Sequence, residues 1–179
     1  MPDTTTQDAN QLFTKDLRPM PYWAMLAEDK ITAWAAGKAE GFSTGFPSLD
    51  GFFRLVDGEM VVIAARPSQG KTILGVQIAE NVARKLQADG TPGSVAIFSA
   101  EMTGWSLVVR MAGAMSGVNT HNLRMGKGQQ GDAQRLQAAI ADLKRLPIWI
   151  DDGSAPTTKT MLEQLVDLNE TNPVRMMLF

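Results

Sequence analysis

Ala65-Arg66-Pro67-Ser68-Gln69-Gly70-Lys71-Thr72 is the stretch whose reading decides the fold. It follows the apolar run Met60-Val61-Val62-Ile63-Ala64, which reads as a buried strand. It precedes Ile73-Leu74-Gly75-Val76-Gln77-Ile78-Ala79, which reads as the opening of a helix. Strand, tight loop ending in Gly-Lys-Thr, then helix is the setting of a phosphate-binding loop. Such a loop wraps backbone N–H groups around phosphate oxygens, so at least one position needs the freedom of glycine. The helix adds the positive end of its dipole and unpaired N–H groups aimed at the same anion. Lys71 is placed to reach the β- and γ-phosphates of a nucleotide, and the Thr72 hydroxyl to ligate Mg²⁺. The candidate nucleotide-binding set is Arg66, Pro67, Ser68, Gln69, Gly70, Lys71 and Thr72. Ala65 stands where the usual pattern has glycine, which asks only for a conventional φ there. A chance Gly-Lys-Thr would leave the flanking strand and helix without a reason.

The bulk properties bound the answer. A chain of 179 residues suits one domain with a sizeable core and room for an appended arm. Hydrophobic content of 44% and charged content of 20% are those of an ordinary soluble globular protein. A formal net charge of −2 argues against a nucleic-acid grip spread over the whole surface, though not against a local one. With no cysteine, disulfides, thiol catalysis and cysteine metal sites are excluded. His121, the single histidine, cannot build a histidine metal cluster and reads as a surface or capping residue. No apolar run approaches the ~20 residues that span a bilayer. The start, Met1-Pro2-Asp3-Thr4-Thr5-Thr6-Gln7-Asp8, is unlike a signal peptide, so a cytoplasmic protein without membrane contact is expected.

Along the chain, residues 1–21 are polar and punctuated by proline, and read as a mobile arm. Over residues 22–38, Trp23, Leu26, Ala27, Ile31, Trp34 and Ala35 recur on one helical face, with Gly41 placed to end the helix. The two tryptophans pack either on this chain's own core or on a neighbouring subunit. Residues 41–50 form a turn-rich lead-in. The helix after the phosphate loop is expected to run to about Leu86, with Ile73, Leu74, Ile78, Val82 and Leu86 inward. Buried strands are expected at Val95–Ser99, 147–152 and 174–179. Between them lie a helix capped by Thr103, a short helix near 119–124, a helix from Asp132 to Leu146, and a helix capped by Thr158. Strands alternating with helices imply an α/β fold, a mainly parallel sheet with helices on both faces.

In such a sheet, ligands sit beyond the carboxyl ends of the strands. The phosphate loop leaves the first strand, Glu101 lies past the second, and Asp151 and Asp152 end the third. A carboxylate there can orient or deprotonate the water that attacks a γ-phosphate. Glu101 can also be an exposed acid favoured by a helix dipole, and Asp151 and Asp152 can be strand-end turn residues. Asp151 is a second candidate for Mg²⁺ after Thr72.

Three segments together carry a family resemblance: Ser43-Thr44-Gly45-Phe46-Pro47-Ser48-Leu49-Asp50, then 64–72 with its Arg-Pro-Ser, then Phe98-Ser99-Ala100-Glu101-Met102. They resemble the motor domain of DnaB-type replicative DNA helicases, and Ile150-Asp151-Asp152 is similar to that family's third strand end. The resemblance implies a RecA-like P-loop ATPase core over 41–179, a linker helix over 22–40 that docks on the adjacent subunit, and a six-membered ring. ATP would lie between subunits and single-stranded DNA in the central channel. Lys71 and Thr72 would hold phosphate and Mg²⁺, and Glu101 would be the catalytic base. A primase or a helicase loader would be a further partner. The family's aspartate after the fourth strand, its DNA-binding loops and its arginine finger are expected beyond Phe179. The motor is therefore expected to be C-terminally truncated here and poorly active alone. The first 40 residues leave no room for the primase-interacting domain of bacterial members, which points to a phage or mobile-element member or a trimmed chain. The turn at Phe52–Gly58 is shorter than the family's. The other readings are a recombinase or clock-type RecA-like ATPase, and a non-catalytic nucleotide-binding accessory module.

Overall fold

The computed structural model describes residues 19–153 and 156–179. In chain order it holds helix α1 (Met20–Ala35), the single turn α2 (Pro47–Asp50), α3 (Lys71–Ala88), strand β1 (Ser94–Phe98), α4 (Gly104–Ser116) and α5 (Thr120–Arg124). Helix α6 (Asp132–Leu143), strand β2 (Ile148–Asp151), α7 (Thr158–Thr171) and β3 (Val174–Leu178) complete it. The three strands are ordered β2-β1-β3 and all pair in parallel. Val95 lies opposite Ile148 on one side and Met176 on the other, with the register shifting between Ser94 and Val95. Parallel neighbours need crossovers, and the helices supply them.

All five residues of β1 are buried. Alternate side chains of a strand point to opposite faces, so both faces of the sheet are covered there. Val95 and Ile97 pack against Val76, Ala79, Val82, Ala83 and Leu86 of α3, with Leu107 and Met111 of α4 closing the same cluster. A smaller cluster of Ala112, Val118, Leu136 and Ala139 joins α4 to α6. Arg84 fixes the geometry between the helices. Its guanidinium donates to Glu80 Oε1 and Asp142 Oδ2, each at 2.9 Å. Partial burial opposes that charge, but the two carboxylates outweigh it and hold the guanidinium above its usual range.

Several sequence-based expectations need correction. Met60–Ala64 is not a strand: Met60 is 88% exposed and Val62 72%. An apolar run signals a need for burial, but a strand exists only through a paired ladder, and this run pairs with none of the three strands. It does pass over α3, where a Cβ at Gly75 would meet Ile63 in ordinary contact at 3.8 Å and crowd Leu178 at 3.0 Å. The two outer strands are also less buried than expected, with Trp149 and Met177 exposed. Helix α3 turns its core stripe from Gly75 and Val76 onward, leaving Ile73 in solvent. Thr157, not Thr158, caps α7, through a capping box with Thr160.

Helix α1 begins at Met20, inside the stretch read as an arm, whose first eighteen residues lie outside the described residues. Gly37, rather than Gly41, is the glycine that terminates it after Ala35. Gly37 has φ 78°, and the N–H groups of Gly37 and Lys38 bond back to Trp34 and Ala33. Among the described residues none of α1 is buried, and Trp23 and Trp34 are each about half exposed. Gly41 makes a different turn, with its Cα so close to Leu55 that a Cβ would lie 2.3 Å from that residue's carbonyl oxygen. No helix among the described residues is long and apolar enough to cross a membrane.

The observed stripe of α3 gives a direct test. Leu86→Ala should cost about 2–5 kcal/mol in a urea titration, as fully buried leucines do. Ile73→Ala should cost less than about 1 kcal/mol. The reverse order would put the core on the other side of the helix.

Candidate functional site

The loop from Arg66 to Gly70 is exposed and turns sharply, with the Gln69 N–H donating to the Arg66 carbonyl at 3.3 Å. Ser68 has φ 63° and Gly70 φ 86°. Left-handed backbone is ordinary for glycine but sparsely populated for serine, so the loop holds a conformation its sequence does not favour locally. Gly70 caps α3 with no side-chain bond to the first-turn N–H groups, and the first backbone bond of the helix runs from Leu74 to Gly70 at 2.9 Å. Space around Gly70 is open, with nothing within 4 Å of where a Cβ would stand. The end of α3 is thus left with N–H groups that an anion can satisfy.

Facing it is the loop from Ser99 to Thr103, which leaves the carboxyl end of β1. The Ser99 hydroxyl donates to the Met102 carbonyl at 2.7 Å and accepts from the Met102 N–H at 3.3 Å. The Ser99 N–H donates to the Asp151 carbonyl at 2.8 Å. This fold presents Glu101 toward the start of α3, with Oε1 3.9 Å from Lys71 Nζ. The Glu101 side chain is 77% exposed and that of Lys71 44%, so the pair contributes little to stability. Its content is geometric: the loop lysine and the strand-end acid meet.

The other strand-end acids are engaged in the fold. Asp151 Oδ1 accepts the Gly153 N–H at 2.8 Å, an Asx turn. Asp152 Oδ2 accepts the Gly104 N–H at 2.8 Å. Thr103, expected to cap α4, makes no side-chain cap bond. The cap comes instead from the neighbouring strand end, a partner remote in sequence. His121 lies exposed on α5, as a surface histidine.

Sequence reasoning missed what the lead-in does. Asp50 collects the Thr44 N–H at 2.7 Å, the Thr44 hydroxyl at 2.8 Å and the Ser43 hydroxyl at 2.5 Å. Asn81 of α3 donates to the Thr44 carbonyl at 2.8 Å and lies so close over Gly45 that a Cβ there would be 2.1 Å away. The quoted Ser-Thr-Gly…Asp stretch is therefore a hydrogen-bonded knot that fastens the chain before the phosphate loop to the helix after it. The serine–aspartate spacing was visible, but nothing local announced Asn81.

Residues 41–179 match the model of the DnaB-like helicase C-terminal domain. The chain is 42% identical over 120 residues to the replicative DNA helicase DnaB of Geobacillus stearothermophilus, covering 65% of this chain and 25% of that protein. It is 33% identical over 156 residues to the DnaB of Buchnera aphidicola subsp. Schizaphis graminum, covering 83% and 32%. It thus spans about a quarter to a third of the length of these curated relatives. In structure it is similar to a solved ATPase domain, with TM-score 0.74, 22% identity, and 90% and 56% of the two chains covered. It is also similar to a DnaB-like replicative helicase whose interactions with primase were described, at TM-score 0.71, 21% identity, and 91% and 38% covered. The fold is that of a RecA-like ATPase domain.

Hydrogen bonds from Ser43 and Thr44 hold the Asp50 carboxyl below its ordinary value of 3.8, and the Gln129 N–H and Arg135 do the same for Asp132. Such groups contribute stability that is complete above the ordinary value and lost as the pH falls below it through the depressed folded value. Asp50→Asn should therefore flatten the fall of the urea midpoint between about pH 5 and pH 2. An unchanged acid limb would mean that the knot does not depend on the charge.

Proposed function

The chain belongs to the DnaB-like helicase C-terminal domain family, and on that footing we propose that it binds ATP with Mg²⁺ as the motor of a ring-shaped replicative DNA helicase. The observation that carries the reading is the approach of Lys71 Nζ to Glu101 Oε1, 3.9 Å apart, between the open end of α3 and the loop after β1. Phosphate oxygens would take N–H groups of the loop and first helical turn, those of Ser68, Gly70, Lys71 and Thr72, and the Lys71 ammonium. Arg66, Pro67 and Gln69 complete the loop that shapes this cradle.

The donor set suits a magnesium ion that arrives with its nucleotide. Among the described residues no group of three or more acids or histidines could hold a metal on its own. Mg²⁺ is commonly held by one or two protein oxygens together with phosphate and water, and the Thr72 hydroxyl on the first turn of α3 fits that use. Asp151, whose Oδ1 accepts the Gly153 N–H, would be a second oxygen donor. Bound there, the ion neutralises phosphate charge. Glu101 would orient water against the terminal phosphate and accept its proton as the new P–O bond forms and the bond to the leaving diphosphate breaks. Lys71, drawn onto the phosphates, would leave the Glu101 carboxylate free for that role.

Family membership extends the proposal to a hexameric ring on single-stranded DNA in the cytoplasm, with a primase or helicase loader as a further partner. The residues 41–179 are the ATPase core in this reading, and 22–40 the linker. The exposed aromatic face of α1, with Trp23 45% and Trp34 51% exposed, supports docking on an adjacent subunit.

The test begins with a fluorescent ADP analogue and the 179-residue chain. Binding is expected to be weak and Mg²⁺-dependent, and Lys71→Ala should weaken it at least ~10-fold. Glu101→Gln should keep affinity within ~2-fold while lowering ATP turnover of the protein as its gene encodes it by ~10²–10⁴-fold. Affinity indifferent to Lys71→Ala contradicts the site. Brisk DNA-independent turnover by the isolated monomer contradicts the ring-dependent motor.

A further inference from the structure

We propose that Asp152 is a positioning residue for Glu101, acting through its carboxylate bond to the Gly104 amide. The inference rests on the reading of Glu101 as the group that activates water. Glu101 stands on a short exposed loop, and its reach toward Lys71 depends on where the two ends of that loop are held. The first end is held by Ser99, whose N–H donates to the Asp151 carbonyl at 2.8 Å and whose hydroxyl folds the loop onto Met102. The second end is the start of α4. Its own N-cap, Thr103, supplies no side-chain bond. The bond comes from Asp152 Oδ2, which accepts the Gly104 N–H at 2.8 Å.

Both anchors therefore issue from the same place, the end of β2. That strand is itself registered on β1 by the pairing of Phe98 with Asp151. The start of α4 and the end of β2 lie in ordinary contact, since a Cβ at Gly104 would stand 3.5 Å from Ile150 Cγ2 and 3.6 Å from Asp152 Oδ2. A carboxylate at the N-terminal turn of α4 also meets the positive end of the helix dipole, which strengthens the bond. Asp151 sets this up: its Oδ1 accepts the Gly153 N–H and turns the chain just after Asp152. The division of labour follows. Asp151 shapes the turn, Asp152 pins the start of α4, and the pinned loop aims Glu101.

A carboxylate that merely stabilised α4 would leave the same hydrogen bond, so the experiment must separate the two. In the 179-residue chain, Asp152→Ala should lower amide-exchange protection at Gly104 by ~10-fold and leave Ile97 in β1 protected. In the protein as its gene encodes it, Asp152→Ala should lower ATP turnover ~10-fold with affinity for Mg–ADP within ~2-fold, and Asp152→Asn, which keeps an acceptor oxygen, should restore most of it. Combined with Glu101→Gln, Asp152→Ala should add less than ~2-fold, because its effect passes through Glu101. Unchanged turnover in Asp152→Ala, multiplication of the two effects, a parallel loss of Mg–ADP affinity, or no rescue by asparagine each overturns the positioning role alone. Turnover indifferent to Glu101→Gln overturns the reading of the site, and the positioning role with it.

Discussion

Helix α3 lies on β1 through Ala79, Val82, Ala83 and Leu86, none more than 1% exposed, against Val95 and Ile97. Nearly everything else is referred to that contact. The N-terminus of α3 carries the 66–70 loop, its middle carries Asn81 on the Thr44 knot, and Arg84 reaches from it to Asp142 of α6. Dense packing leaves little room for one element to slide against another. Seating α3 on β1 therefore brings the loop before α3 toward the loop after β1, and Lys71 meets Glu101.

The exposed site and the buried scaffold follow different rules. Lys71 and Glu101 are both exposed, and the loop between Arg66 and Gly70 has few bonds of its own. Such groups contribute little to stability and remain available to a charged ligand. The carboxylates that hold the fold are engaged instead: Asp50 on Ser43 and Thr44, Asp132 on the Gln129 N–H and Arg135, Asp152 on Gly104. The engaged acids are held by backbone N–H groups, hydroxyls or a guanidinium, while Glu101 meets only Lys71, at 3.9 Å.

Much of this was legible in the residues. The Gly-Lys-Thr loop before a helix, the buried run Val95–Phe98 and the strand–helix alternation gave the α/β fold, because burial and period are local properties of a sequence. What was not legible depends on distant partners. Met60–Ala64 has the composition of a strand, but composition cannot supply a paired ladder. Thr103 has the chemistry of a cap, yet Asp152 takes the place from across the sheet, and Asn81 reaches the Thr44 carbonyl from 37 positions away. Ile73 was read inward on helical period alone. The period gives a stripe, while its rotation about the axis is set by what α3 packs against.

Phosphate binding at the open end of α3 can be read by titrating the ¹⁵N-labelled chain with Mg–ADP and following its amide resonances. The amides of Ser68, Gln69, Gly70, Lys71 and Thr72 should shift together and saturably, with those of the buried strand β1 nearly still. Saturable shifts confined to another surface, or a loop that stays unmoved while ADP binds, would contradict that placement.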